Sequence, residues 1–533
     1  MKFACLGKKL VHFCRYSCNK ISQLIFRFHV NPFFVQLSYF IVFSLLGYLA
    51  LKVSKPRTTS FRPKEIDVFF TSVSATTVSS MSTIEMQVFS NTQLIIMTFL
   101  MFFGGEVFTS LLGLQLAKFN MSKNHETTST TIVNSDGKKL ETDVEHGIKS
   151  VDSLTTYSSI KFLGFVVMGY LFIVNLVGSC LVGLYIILVP SARRVLKSKG
   201  LYIPTFSVFT TVSTFTNCGF IPTNENMVVF KKNSGLLLLL IPQVLMGNTL
   251  YPPCLLFVIW VLKKATKRAE FGYVLKNYKD MGYSHLLPGP DHAARLAVTV
   301  FGFILIQFIL FLSMEWSSGA MDGMNSYQKL VGSLFLSVNS RHAGESVVDL
   351  STISSAILVL FVLMMYLPPY TTFLPTKDLD HDEISEKGKE ISQNRRKTLM
   401  EYLMLSQLSY LVMFVILICI TERHKMREDP LNFNVLNITF EVISAYGNVG
   451  FTTGYSCERL RQLQPESSCT DKWYGFAGRW STEGKLILII VMFFGRLKKF
   501  SMNGGKAWNI YIYMFLVMQA VRTSVDNIFC NIK

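Results

Sequence analysis

The sequence predicts an all-α, polytopic membrane protein built from four pseudo-symmetric helix–pore-loop–helix units. The chain of 533 residues is 50% hydrophobic and 16% charged, contains 44 phenylalanines and has a mean hydropathy of +0.36. Such values lie outside the usual range of soluble proteins. In addition, apolar segments alternate with four polar stretches that share one plan, a helix-compatible segment followed by a turn of small residues.

These four polar stretches are too polar to cross lipid and too short to be domains. They cover residues 71–86, 210–222, 334–346 and 444–454, and their central residues are Ser80, Gly219, Gly344 and Gly450. Backbone that is neither helix nor closed barrel survives at membrane depth only where protein buries it or water wets it. Four such loops can surround one axis and offer backbone carbonyls to a dehydrated cation, so we predict one central cation pore.

The first half of the chain begins with a basic segment. Residues 1–31 carry lysine and arginine but no acid, which favours a cytosolic N-terminus, and no cleavable signal peptide is expected. Unit A covers residues 32–119, with membrane helices predicted over 32–53 and 94–116. Residues 120–161 are polar and predict a disordered cytosolic linker.

The other three units follow the same plan. Their predicted boundaries are unit B at 162–264, a basic linker at 265–295, unit C at 296–376, a charged linker at 377–401, unit D at 402–502 and a C-terminal tail at 503–533. Their predicted membrane helices cover 162–190 and 235–262, 296–314 and 353–367, and 402–420 and 486–494.

Other classes of function fit less well. The net charge of +18 is spread over many loops, which is typical of helix flanks facing lipid headgroups rather than of a nucleic-acid site. The nine histidines are dispersed, and the chain has no HExxH, P-loop or GxSxG pattern, so we do not expect an enzyme. A receptor or scaffold would not need four polar re-entrant loops.

The loop sequences carry a family resemblance. SVSATTVSSM, STFTNCGFIPTNEN, VNSRHAGE and SAYGNVGFTTGYSC resemble the plant high-affinity potassium transporter (HKT) family, relatives of bacterial and fungal Trk/Ktr transporters, over residues 32–508. The resemblance implies a single cation pathway with a selectivity filter at Ser80, Gly219, Gly344 and Gly450. It also implies plasma-membrane localisation, a role in plant sodium homeostasis and salt tolerance, and a homodimer as in bacterial relatives.

Ser80 decides the expected ion. In this family a serine at the first filter position goes with sodium-selective transport, and a glycine goes with potassium transport or potassium–sodium co-transport. From the residue itself, the Cβ disfavours the positive φ of a filter turn, so we expect this quadrant to present its carbonyl differently from a glycine. The alternative is that Ser80 is merely a tolerated small residue.

The sequence therefore favours channel-like, passive sodium uptake, with a potassium-permeable transporter or Na+/K+ symporter of the same fold as the alternative. Passive and ion-coupled transport are not distinguished, since no proton relay stands out. No organic cofactor and no resident metal are expected. The transported sodium ion is the substrate and would bind transiently at the four filter residues.

Charged residues near the pathway are candidates for pore or gating roles. Glu345 follows a filter glycine, with Arg341 and His342 before it, and this cluster could attract cations or brace the loop. We favour the brace. Arg496, at the inner end of the last membrane helix, resembles a family position facing the pore. We expect it to lower cation occupancy below the filter and to pair with a loop acid such as Glu441.

Three further features are visible in the sequence. Glu106 lies within the second helix of unit A, where a structural hydrogen-bonding role is favoured over ion binding. Pro368 and Pro369 must interrupt the last helix of unit C. In the family that the sequence resembles, an irregular stretch below the filter acts as a gate, so the resemblance makes this break a gate candidate. Cys457 and Cys469 flank a polar loop predicted to face the oxidising exterior, where a disulfide is plausible.

Overall fold

The computed structural model describes residues 32–57, 63–116, 118, 143–277, 286–287, 289–367, 407–466 and 468–498. These residues form α-helices and short 3-10 turns, with no strand among them. They divide into two bodies, one of residues 43–492 and one made of the described parts of Met1–Val42 and Phe493–Lys533.

The helices, numbered here in chain order, repeat one arrangement four times. Repeat A contains α1 (Pro32–Val53), α2 (Glu65–Thr76), α3 (Asn91–Gly104) and α4 (Glu106–Leu116). Repeat B contains α5 (Asp143–Leu188), α6 (Pro190–Lys199), α7 (Ile203–Thr216), α8 (Ser234–Met246) and α9 (Tyr251–Thr266), followed by α10 (Ala269–Lys276). Repeat C contains α11 (Pro290–Glu315), α12 (Ser326–Asn339) and α13 (Ser355–Tyr366). Repeat D contains α14 (Gln407–Thr421), α15 (Arg423–Glu428), α16 (Val435–Gly447), α17 (Cys457–Leu463) and α18 (Thr482–Arg496).

Several helices are long and apolar enough to cross a membrane. Three pass by themselves, Phe33–Val53, Tyr157–Leu188 and Pro290–Glu315, and up to five do if each bent pair is one span. Large apolar side chains on α5 are exposed, such as Leu176 at 67% and Ile173 at 63%. Exposure of this kind suits contact with lipid and would be costly in water.

Two helices predicted as single spans are broken. The predicted span 94–116 is two helices, α3 and α4, bent by 54°. The predicted span 235–262 is also two helices, α8 and α9, bent by 85°.

Close backbone contact with the short helices α2 and α7 explains both breaks. A methyl group built on Gly104 would lie 2.0 Å from the Thr76 carbonyl oxygen, and one built on Gly247 would lie 1.7 Å from the Phe215 carbonyl oxygen. Only glycine permits such an approach. The chain therefore turns where it meets the end of the short helix, a contact that hydropathy does not report.

The linker predicted as disordered over 120–161 is partly helical. Helix α5 begins at Asp143 and runs for 46 residues. At 1.5 Å per residue it is about 69 Å long, well beyond a hydrocarbon core of about 30 Å. Extending a formed helix adds one hydrogen bond per residue without a new nucleation cost, so the polar residues can continue the apolar helix. Residues 120–142, the linker 377–401, the segment 1–31 and the tail 503–533 lie outside the described residues.

The short helices α2, α7, α12 and α16 are polar in sequence yet largely buried in the body 43–492. Many of their hydroxyl groups donate to a carbonyl of the same helix. In α2, for example, the Thr71 and Thr76 hydroxyls each donate to the carbonyl four residues earlier, at 2.8 Å. Buried polar groups are tolerated when they are hydrogen-bonded in this way.

In every repeat, a polar side chain joins the end of the first membrane helix, or the residues directly after it, to the start of the second. The four bonds are Gln93 Nε2 to Leu51 O at 3.0 Å, Asn233 Nδ2 to Ser191 Oγ at 2.7 Å, Ser354 N to Glu315 Oε1 at 2.8 Å and Ser481 N to Glu422 Oε1 at 2.7 Å. In repeats C and D the acceptor is a carboxylate at a helix N-terminus, where the helix dipole favours negative charge. These bonds fix the two helices that flank each loop.

Candidate selectivity filter

Three of the four short helices end on a left-handed residue placed two positions before the central residue of the loop. These residues are Val78 (φ 52°), Asn217 (φ 59°) and Asn448 (φ 53°). The next backbone N–H then returns to the helix, as Cys218 N does to Ser213 O at 2.9 Å. Asparagine adopts this conformation readily, whereas a β-branched valine does so only under strain. The turn stops the helix and directs the chain into the loop.

The four predicted filter residues all have positive φ. The values are 54° at Ser80, 83° at Gly219, 66° at Gly344 and 95° at Gly450. Serine therefore follows the sign of φ of the three glycines, contrary to our expectation of a different backbone, at a strain of about 1–2 kcal/mol. What distinguishes this quadrant is the side chain of Ser80.

The loops press on one another in a closed ring. Methyl groups built on the three glycines would collide with the neighbouring loop: Gly219 with Ala343 O at 1.5 Å, Gly344 with Val449 O at 2.2 Å, and Gly450 with Ser80 Cβ at 2.2 Å. The Ser80 hydroxyl oxygen also lies 3.3 Å from the methyl position of Gly219. Glycine is therefore required at three positions, and the only Cβ in the ring belongs to Ser80.

The ring forms part of the wall of a cavity of about 610 Å³, here called the vestibule. All four filter residues line it, so they share one solvent space. Its charged lining residues are four carboxylates and two basic side chains: Glu225, Asp349, Glu458, Asp471, Arg459 and Lys472. A cleft with an excess of negative charge attracts cations.

Hydrogen bonds join neighbouring repeats all the way around this ring. They are Gln87 N to Asn224 Oδ1 at 2.8 Å (A–B), Thr214 Oγ1 to Glu345 Oε1 at 2.5 Å (B–C), Arg459 Nη2 to Ser351 O at 2.7 Å (C–D) and Asn448 Nδ2 to Ser79 Oγ at 2.7 Å (D–A). Bonds between repeats therefore hold the four loops against one another.

The charged cluster of the third loop is buried, with Glu345 at 0%, His342 at 2% and Arg341 at 7% exposed. The Glu345 carboxylate accepts from Thr214, and the His342 Nε2 lies 3.1 Å from the Thr249 hydroxyl oxygen. Both contacts reach repeat B. This geometry supports the role of a brace for Glu345 rather than that of an exposed cation attractor.

Glu441 is also fully buried, and its contacts reach the segment after the fourth loop. Its Oε1 accepts from Ala477 N at 3.0 Å, while the Thr452 hydroxyl oxygen accepts from Phe476 N at 2.9 Å. The neighbouring Gly475 N donates to Ser82 Oγ at 3.1 Å. Glu441 therefore helps to hold this segment against two filter loops.

The remaining candidates lie in different places. Arg496 belongs to the second body, where its guanidinium lies 5.5 Å from the centroid of the Phe40 ring. Glu106 is 8% exposed and begins α4, directly after the break in the second span of repeat A. Pro368 and Pro369 lie outside the described residues.

Cys457 and Cys469 form a disulfide that closes a loop beside the vestibule. The Asp471 carboxylate accepts from Cys457 N at 2.8 Å and is itself part of the vestibule wall. Nearby, burial and a hydrogen bond to Asp429 raise the pKa of the Tyr455 phenol above its ordinary value. The loop is thus fixed by a covalent bond and by polar contacts.

Several contributors were missed from the sequence. The asparagines two positions before filter glycines, Asn217 and Asn448, are visible as NCG and NVG and could have been read as left-handed turns. Asn224 bonds to repeat A, and nothing in its local sequence indicates this. The ion pair between Asp67 and Lys485 has a sequence separation of 418 and no sequence signal.

Comparison with known proteins identifies the family of this chain. Residues 148–503 match the family model described as TrkH, cation transport protein. The chain is 56% identical to the sodium transporter HKT1 of Arabidopsis thaliana, covering 87% of this chain and 92% of the relative. It is 51% identical to the cation transporter HKT1;3 of Oryza sativa subsp. japonica, covering 94% and 98%.

Among solved structures, the crystal structure of the potassium transporter TrkH from Vibrio parahaemolyticus aligns over 90% of this chain and 85% of that chain, with a TM-score of 0.48 and 14% identity. The family match and the coverage of the plant relatives decide the assignment. The chain belongs to the TrkH family of cation transport proteins, as a multi-pass membrane protein of the plant HKT type.

Proposed function

We propose that this protein is a sodium-selective, channel-like transporter for passive Na+ uptake, with Ser80, Gly219, Gly344 and Gly450 as its filter. The observation that carries the proposal is the single Cβ in a ring otherwise made of glycine. The Ser80 Oγ lies 2.9 Å from the methyl position of Gly450 and 3.3 Å from that of Gly219. The serine side chain therefore occupies space between two other quadrants.

A side chain at this point acts on ion choice in two ways. It fills space that a larger dehydrated ion would use, and its hydroxyl adds an oxygen with different orientation from a backbone carbonyl. A disadvantage of about 1.4 kcal/mol for K+ gives a tenfold preference for Na+. The name of the Arabidopsis relative, sodium transporter HKT1, supports the same direction.

The alternative is a potassium-permeable transporter or Na+/K+ symporter of the same fold. More distant relatives carry that function in their names, such as the potassium transporter TRK1 of Candida albicans, at 26% identity. The two functions differ in what Ser80 does, so the test is made there.

Two-electrode voltage clamp in oocytes, with external Na+ and K+ varied separately, tests the proposal on wild type, Ser80→Gly and Ser80→Ala. We expect the wild-type reversal potential to follow Na+ alone, and Ser80→Gly to gain K+ permeability by about tenfold, equivalent to about 1.4 kcal/mol. Ser80→Ala keeps the Cβ and removes the hydroxyl, so it separates volume from coordination. A wild type that already follows K+ would refute the proposal.

The same proposal covers location and organisation. We propose a plasma-membrane protein with a cytosolic N-terminus, active in plant sodium homeostasis and salt tolerance, with units at 32–119, 162–264, 296–376 and 402–502, and able to form a homodimer. A fluorescent fusion locates the membrane, protease accessibility of an N-terminal tag tests the orientation, and cross-linking in membranes tests the dimer.

Gating residues are part of the proposal as well. Arg496 is proposed to lower cation occupancy below the filter and to pair with Glu441, and the Pro368–Pro369 break is proposed as a gate. Glu106 is proposed as a structural hydrogen-bonding group at the break of the second span. An Arg496→Gln variant with unchanged rectification and conductance would argue against the role of that arginine.

A further inference from the structure

The seam between repeats D and A differs from the other three. Repeats A, B and C each continue into the next repeat along the chain, whereas D and A are the last and the first. The contacts that close the ring between D and A among the described residues are non-covalent. The seam also contains the filter contact between Gly450 and Ser80.

A buried ion pair crosses this seam. Lys485 Nζ lies 2.7 Å from Asp67 Oδ1, and the two side chains are 7% and 12% exposed. Asp67 is in the first turn of α2, the short helix that leads to Ser80, and Lys485 is in the first turn of α18. Other contacts across the seam are neutral hydrogen bonds, from Asn448 to Ser79 and from Gly475 to Ser82. Glu85 adds a hydrogen bond from Trp473 N at 3.3 Å and a longer, more exposed ion pair with Lys472 at 3.8 Å, with side chains 21% and 45% exposed.

The helix dipole affects the two charges in opposite ways. A helix N-terminus favours a negative charge and disfavours a positive one, so Asp67 suits its position and Lys485 does not. An unpaired buried ammonium is costly, because desolvation is not repaid. Lys485 is therefore stable in this position only while Asp67 faces it, and the pair ties α2 to α18.

Helix α2 connects the ion pair to Ser80. It has 12 residues, from Glu65 to Thr76, and Ser80 follows it after one tight turn. A short helix that is buried along most of its length moves as one piece, so a shift at its first turn reaches its last. The contact between Ser80 and Gly450 leaves little room for such a shift, since the methyl position of Gly450 lies 2.2 Å from Ser80 Cβ.

We propose that Asp67 and Lys485 are a positioning ion pair that closes the ring between repeats D and A and sets the place of Ser80 in the filter. Neither residue lines the vestibule. The pair acts on ion discrimination through α2, and this inference rests on the proposed sodium selectivity of the filter.

The test compares Asp67→Asn, Lys485→Met and the swapped double variant Asp67→Lys/Lys485→Asp in oocytes. The swap places one acid and one base in the first turns of the same two helices, as in the wild type. Glu65→Gln is the matched control, because Glu65 shares the first turn of α2 but forms an exposed pair with Lys52, with side chains 73% and 50% exposed. Surface biotinylation measures the amount of each protein in the membrane.

We expect each single variant at the surface to raise the K+-to-Na+ permeability ratio by about tenfold, as for a free-energy change of about 1.4 kcal/mol. The swapped variant should return most of the way to the wild-type ratio, and Glu65→Gln should match wild type. Single variants that reach the surface with the wild-type ratio would overturn the proposal.

Single variants that fail to reach the membrane surface are interpreted with the swapped variant. If the single variants do not reach the surface, the swapped variant decides: its appearance there with the wild-type ratio supports the pair, and its absence or an altered ratio overturns it. The results that would refute the proposed function differ from those that would refute the ion pair. A wild type permeable to K+ refutes sodium selectivity, whereas the pair is judged by whether the ratio, whatever its wild-type value, changes in the single variants and returns in the swap.

Discussion

Gly450→Ala is the sharpest perturbation of the filter that the structure offers. A methyl group at this position would lie 2.2 Å from Ser80 Cβ, 2.8 Å from Ser79 O and 2.9 Å from Ser80 Oγ. The residue also has a φ of 95°, which L-amino acids rarely adopt. The substitution therefore adds a collision between two filter loops to local backbone strain.

The magnitude follows from these distances. Carbon atoms rest about 3.5–4.0 Å apart, so the two loops must separate by roughly 1 Å or more to admit the methyl group. Left-handed backbone adds about 1–2 kcal/mol of strain. A filter opened on this scale loses the coordination on which conduction depends, and we expect sodium current per surface protein to fall by at least tenfold, about 1.4 kcal/mol.

Gly454→Ala is the matched control. Gly454 lies in the same loop with a φ of 63°, but no atom is within 4 Å of its methyl position. The Gly454→Ala substitution therefore adds backbone strain without a collision. We expect its current to be within about twofold of wild type, as for substitutions away from tight contacts.

A double variant, Ser80→Gly with Gly450→Ala, removes two of the three collisions and leaves the one with Ser79 O. We expect it to recover part of the lost current. Currents are measured by voltage clamp and normalised to surface-biotinylated protein. The reasoning fails if Gly450→Ala conducts as well as Gly454→Ala at equal surface abundance, or if the double variant conducts less than Gly450→Ala alone.

Three further predictions concern stability, measured by thermal unfolding of the purified protein in detergent. Asn448→Asp removes a donor that bonds to repeat A and to α18, and should cost about 1–3 kcal/mol; a midpoint equal to wild type would contradict this. Glu422→Ala removes the acceptor at the start of α18 and should cost about 1–3 kcal/mol, whereas Glu422→Gln keeps a carbonyl acceptor and should cost less. A reducing agent should lower the unfolding midpoint of wild type but not that of Cys457→Ala/Cys469→Ala, because closing a short loop contributes about 3 kcal/mol.

Much of the fold is predictable from local sequence. Apolar runs identify membrane helices because lipid offers no hydrogen-bonding partner, so each span must satisfy its own backbone. The four polar stretches identify the loops because such segments cannot face lipid and must lie inside the protein or against water. Glycine at 219, 344 and 450 also signals positive φ, which the structure has at each of these residues.

Other features depend on contacts between distant residues, which hydropathy does not report. The breaks beside Gly104 and Gly247 occur where these glycines meet the carbonyl ends of short helices. The positive φ of Ser80 is another case, since a serine at that position predicts the opposite. Packing in the ring overrides that local preference.

The sequence by itself determined that this protein is a four-repeat membrane protein with four glycine- or serine-centred loops, because hydropathy and backbone preference are properties of single residues and short segments. Only the tertiary structure decided how the ring is closed. Asp67 and Lys485 meet across a sequence separation of 418, and the Ser80 side chain meets Gly450. Burial makes such contacts energetically important, and only folding brings their partners together.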